Sequence, residues 1–75
     1  MSLRTDRTVI GRNMRLRRQD LELSQTEVAK QIGLNRKTLG EIEKGRSSLP
    51  LESAVIAVEI LKFKSLSTLF IPLWE

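Results

Sequence analysis

The sequence predicts an all-α fold, a compact bundle of five short helices, on three observations. Apolar residues recur at helical spacing, as in Ile10, Met14 and Leu21 and again in Leu51, Ala54, Val55, Val58 and Leu61. Start and stop signals divide these runs at helix length: Ser24 and Asn35 open segments that Gly33 and Gly45 close, and Pro50 opens another. The chain has 75 residues, 40% of them hydrophobic, which suffices for one domain with a small packed core and argues against a disordered tail. No repeat, low-complexity tract or internal linker divides it.

Residues 1–8 read as a flexible polar segment, and residues 9–75 as a single domain with an apolar C-terminal tail. Thr8 is expected to cap a first helix over about Val9 to Leu21. Its inward stripe is Ile10, Met14 and Leu21, and Arg18 falls on that same stripe. An inward arginine needs an acceptor, because a buried unpaired charge is costly. Glu43, four residues after Leu39 on the inward face of a later helix, has the matching problem. The two are expected to pair, the other reading being that both snorkel to the surface. Arg12, Arg15 and Arg17 are read as pointing outward, where they could meet phosphates.

Leu23 precedes the cap at Ser24 and is placed as a hydrophobic staple against Val28. Ser24 and Glu27 have the spacing of a capping box. A second helix follows over Gln25 to Gln31, with Val28, Ala29 and Ile32 on one face, and Gly33 ends it. Asn35 caps a third helix, Arg36 to Lys44, which Gly45 ends. Leu39, Ile42 and Glu43 form its buried face; Arg36, Lys37, Thr38, Glu41 and Lys44 lie opposite. A small Ala29, a turn at Gly33 and anchors at Leu39 and Ile42 follow the logic of a helix-turn-helix, whose second helix enters the DNA major groove. An ordinary helix corner with a solvated polar face shares the same period.

After Gly45 comes a loop, Arg46 to Leu49, and then a fourth helix from about Pro50 to Leu61. Leu51, Ala54, Val55, Val58 and Leu61 form one face, with Ile56 and Ile60 off it, so this helix is apolar over much of its girth. Such a helix is buried on two sides or covered by another chain. Ser65 to Phe70 reads as a fifth helical turn. The tail, IPLWE, either caps the domain's own core or forms a dimer seam.

Composition removes whole classes of chemistry. Without cysteine or histidine the chain has no disulfide, thiolate metal site, His-based metal hydrolase centre, Ser-His relay or Cys-His pair. An enzyme is therefore the least expected reading, and no metal or other cofactor is expected. No apolar run has membrane-span length, and a cytoplasmic protein is expected. Residues 1–46 hold 11 Lys and Arg against 6 Asp and Glu, whereas residues 47–75 hold 2 against 3. The basic excess thus coincides with the two-helix motif, where a phosphate backbone would attract it.

The stretch from Ile10 to Phe70 resembles the Cro/cI-type helix-turn-helix regulators, also called the XRE family. The segments that carry the resemblance are LSQTEVAKQIGL (23–34), NRKTLGEIEKGR (35–46) and SLPLESAVIAVEILKFKSLSTLF (48–70). Gln25, Ala29, Gly33, Leu39, Ile42, Glu43 and Gly45 fall at signature positions, and Arg18 matches the arginine that pairs with the glutamate at Glu43. Glu22 and Lys62 stand where the family often has glycine, and Pro50 where a serine-type cap is common. The resemblance implies a lambda repressor-like DNA-binding domain and, through a weaker likeness to controller proteins of restriction–modification systems, dimers.

Carried onto this chain, the resemblance implies that Gln25 contacts DNA backbone and braces the third helix. Arg36, Lys37 and Glu41 would face base edges, with Asn35 and Thr38 on backbone or bases. Arginine and lysine donate to guanine and glutamate accepts from cytosine, although Glu41 could instead orient Arg36 or Lys37. Lys44, Arg46 and Arg17 complete the expected contacts to DNA. Gly40, inside the third helix, costs about 1 kcal/mol relative to alanine.

The leading expectation is a sequence-specific regulator that occupies a promoter as a homodimer on double-stranded DNA. Its seam is expected at Ile56, Ile60, Phe63, Phe70 and Trp74, because the near-neutral C-terminal half holds apolar groups beyond one helical stripe. The other expectation is an antitoxin-type interaction module, whose apolar segment Leu66 to Trp74 would bind a protein partner such as a toxin.

Overall fold

The computed structural model describes residues 6–73. In chain order they form α1 (Arg7–Asp20), α2 (Gln25–Gln31), α3 (Arg36–Glu43), α4 (Leu51–Ile60) and a 3-10 turn (Leu66–Phe70). The all-α fold is observed, with no strand among the described residues. The fifth helix takes the tighter 3-10 form, in keeping with a segment of only five residues. Trp74 lies outside the described residues.

Local chemistry accounts for the helix starts. At α2 the capping box forms: Ser24 Oγ accepts from the Glu27 amide at 3.0 Å, and Glu27 Oε1 accepts from the Ser24 amide at 3.2 Å. At α3 the Asn35 side chain accepts from the Thr38 amide at 2.7 Å. The cap of α1 is Asp6, not Thr8: Asp6 Oδ1 accepts from both the Thr8 amide and the Thr8 hydroxyl. A carboxylate two residues upstream reaches the orphan amide first, so the helix starts at Arg7, inside the segment read as flexible.

All four α-helices end in one geometry. The residue after each C-cap has positive φ: Glu22, Gly33, Gly45 and Lys62. Its amide returns to the carbonyl three residues back, and the next amide to the carbonyl five residues back, as in Leu23 to Arg18 and Phe63 to Val58. This is the Schellman motif. Glu22 and Lys62 therefore keep the turns that glycine usually makes.

The core consists of Ile10, Met14, Val28, Ala29, Ile32, Leu39, Ile42, Ala54, Ala57, Leu61 and Leu69, and Leu23 packs against it. Two α1 residues outside the expected stripe are also buried, Gly11 and Asn13. A Cβ on Gly11 would lie 2.0 Å from the Ile42 carbonyl oxygen, so α1 and α3 cross backbone to backbone there. Asn13 binds the chain's end: its Nδ2 donates to the Leu69 and Ile71 carbonyls at 2.9 and 2.8 Å, and its Oδ1 accepts from the Leu73 amide at 3.0 Å.

The expected face of α4 holds at Ala54, Val58 and Leu61, which are in or against the core, and is corrected at Leu51 and Val55, which are exposed at 70% and 55% while Ser53 and Ala57 are buried. A helix apolar nearly all round fits two stripes at helical spacing, and the stripe of small residues permits the closer approach. Ser53 Oγ then donates to the Ile32 carbonyl at 2.7 Å, which satisfies an orphan acceptor at the end of α2.

Candidate nucleic-acid interface

Gly33, at φ 76°, turns the chain between α2 and α3. Leu39 and Ile42 bury one side of α3 completely. The other side is thereby turned to solvent: Asn35, Arg36, Lys37 and Lys44 are exposed, Thr38 and Glu41 half-buried, and Arg46 exposed just beyond the helix.

Glu43 fixes this helix. Arg18 Nε donates to its Oε2 at 2.8 Å, and Arg18 Nη2 donates to its Oε1 at 3.0 Å. Gln25 Nε2 donates to the same Oε1 at 3.0 Å, and Arg18 Nη1 donates to the Leu23 carbonyl at 3.0 Å. One carboxylate thus holds α1, α2 and α3 in register, with its own side chain 3% exposed. The pairing inferred from the two inward charges is present, and Gln25 braces the helix.

The charges of α3 run against its own dipole. Its first turn carries Arg36 and Lys37 and no acid, and its last turn no base. A helix N-terminus favours anions, and each cation there gives up about 0.3–1 kcal/mol of stability. The same cations and open amides form a surface suited to an external anion.

Other charged side chains depart from expectation. Arg17 does not point outward: its Nε donates to the Leu61 carbonyl at 3.1 Å, and its Nη1 pairs with Asp20 at 3.0 Å. It serves the junction of α1 with the end of α4, where an unsatisfied carbonyl recruits it. Glu41 lies 3.9 Å from Arg46, a loose pair on the surface, rather than against Arg36 or Lys37. Arg12 and Arg15 are exposed on α1 and line a shallow cleft together with Gln25, Gly40 and Lys44. Sequence spacing gave no sign of that gathering, because it needs the crossing of α1 over α3.

The expected dimer residues also divide. Ile60, Phe63 and Phe70 are turned onto the chain's own core, and among the described ones only Ile56 remains exposed, at 39%. Asn13 holds the backbone of Leu69, Ile71 and Leu73 beside α1. Further exposed apolar groups are Leu51, Val55, Ile71 and Leu73. No helix among the described residues is long and apolar enough to cross a membrane.

A family model described as helix-turn-helix matches residues 14–69. No curated protein and no solved structure matches the chain.

Proposed function

The chain belongs to the Cro/cI-type helix-turn-helix family of DNA-binding regulators, and from that premise we propose that it reads a specific operator as a symmetric dimer. The observation that carries the reading is the cationic first turn of α3. Arg36 and Lys37 oppose the helix dipole and are exposed, and no acid stands in that turn. This arrangement costs stability within the protein and gains on contact with DNA. Arg36 and Lys37 donate to guanine edges in the major groove. Asn35, Thr38, Lys44 and Arg46 contact the flanking backbone, with Gln25 at the start of α2 beside them. Arg17 is left out, because its guanidinium is committed to Leu61 and Asp20.

One recognition helix reads only a few base pairs. Two of them about 34 Å apart read two half-sites on one face of the duplex. The exposed Leu51, Val55 and Ile56 of α4, with Ile71 and Leu73, support a seam in the C-terminal half.

The test is selection of bound duplexes from random DNA, followed by titration of variants on selected and unselected sequences. Arg36→Ala and Lys37→Ala should each lose about 1–3 kcal/mol of discrimination. Arg46→Ala should weaken both duplexes equally. Equal weakening of both duplexes by the Arg36 and Lys37 variants would remove these side chains from base reading.

A further inference from the structure

We propose that a small apolar carboxylate, one ring with a short acid arm, binds between the start of α1, the start of α4 and the 3-10 turn. A cavity of about 230 Å³ lies there. It reaches the core, for Ile10, Ala54 and Leu69 line it and all three are buried. Leu49, Leu66 and Phe70, packed against the core, supply further apolar wall. Ala54 offers only a methyl group to this space. Leu51, one turn earlier on α4, lines it but stays largely exposed. The chain's own side chains therefore leave the space unfilled. An apolar cavity of about 150 Å³ already takes up benzene, so this one has room for a ring and a short arm.

The polar part of the lining sets the other end of the occupant. It consists of Arg7 and Ser48, both exposed. Among the described residues neither has a hydrogen-bond or ion-pair partner. Asp6, the acid next to Arg7, is held by the amide and hydroxyl of Thr8. A guanidinium beside an apolar cavity selects a carboxylate, which it meets with two parallel hydrogen bonds, and the Ser48 hydroxyl adds a donor. A neutral apolar molecule would leave Arg7 unused, and an amine would be repelled by it. Leu51 belongs as well to the exposed apolar stripe of α4, so the rival occupant is a side chain from a second copy of the chain.

The probe is 3-phenylpropionate, titrated into the full chain and followed by amide chemical shifts, at protein concentrations on both sides of any monomer–dimer transition found by sedimentation. One molecule per chain should bind, with the largest shifts at Ile10, Leu49, Leu66 and Phe70 and little change at Arg36 and Lys37. The neutral amide, 3-phenylpropanamide, should bind about fivefold more weakly, the upper end for an exposed ion pair. Arg7→Gln should bring the acid to the affinity of the amide and leave that of the amide unchanged. Ala54→Ile should occupy the cavity and block both probes; Arg7→Gln, at an exposed position, decides the matter if Ala54→Ile fails to fold. No saturable shift up to the solubility of the probe, equal affinities of acid and amide, or shifts centred elsewhere would overturn the assignment. Binding to the monomer that is lost as the chain dimerises would overturn it too, and give the space to a second copy.

Discussion

At Glu43 two carboxylate oxygens receive three donors from α1 and α2, and almost none of the side chain meets water. Removing one partner of a buried ion pair leaves the other uncompensated, at a cost of about 3–5 kcal/mol. Arg18→Met alone and Glu43→Leu alone should each destabilise the fold more than the double substitution does. A double-mutant cycle in urea checks this, with coupling on the order of 1–3 kcal/mol expected for contacting residues. Additive single effects would mean that the pair does not act as a unit. This contact was legible in the sequence because each charge sat on an apolar stripe and needed the other. Asn13 and Gly11 were not. An asparagine on a helix reads as solvated, and the partners of Asn13 are main-chain groups of Leu69, Ile71 and Leu73, which carry no side-chain signature. A glycine in a helix reads as a defect until the opposing carbonyl of Ile42 is known.

At the scale of elements, the same C-terminal turn is made four times, twice with a residue ill suited to it. Glu22 has φ 57° and Lys62 φ 59°, and both side chains are exposed. Left-handed backbone costs a non-glycine residue about 1–2 kcal/mol, partly offset by the greater freedom of glycine in the unfolded chain. Glu22→Gly and Lys62→Gly should therefore each raise stability by about 0.5–1 kcal/mol, read as higher urea midpoints with unchanged slope. A drop in midpoint would show that these side chains contribute more than their backbone strain costs. Helix starts were legible at Ser24 and Asn35 but not at Thr8, where the carboxylate of Asp6 takes the cap. The face of α4 was only partly legible, because a helix rich in apolar residues all round offers two stripes. Packing kept Ala54, Val58 and Leu61 of the expected face and took Ser53 and Ala57 in place of Leu51 and Val55. Of the expected dimer residues on α4, Ile60 inherits that ambiguity and turns onto the core, while Ile56 stays out with Leu51 and Val55.

For the whole molecule, charge and apolar surface are divided between the two halves of the chain. Residues 1–46 carry 11 Lys and Arg against 6 Asp and Glu, and the exposed large apolar groups all lie from Leu51 onward among the described residues. Sedimentation should find a dimer at concentrations above the DNA-binding range, with two chains per bound site. Leu51→Lys and Val55→Lys should return it to monomer while the helical content stays constant. A wild-type monomer bound one per site would overturn the two-fold arrangement. A dimer that contacts several phosphates should also lose roughly a thousandfold in affinity between 50 and 200 mM salt. The crossing at Gly11 has a separate consequence, for how such a protein can diversify. What α1 meets there is the peptide backbone of Ile42, whose shape is the same whatever side chains α3 displays. On α3 itself the groups that seat it, Leu39, Ile42 and Glu43, are distinct from those that face outward, Arg36, Lys37, Glu41 and Lys44. Substitutions in sets that share no partner combine nearly additively. New binding preferences are therefore reachable by single changes on the outer surface, each tolerated by a frame that does not sense them.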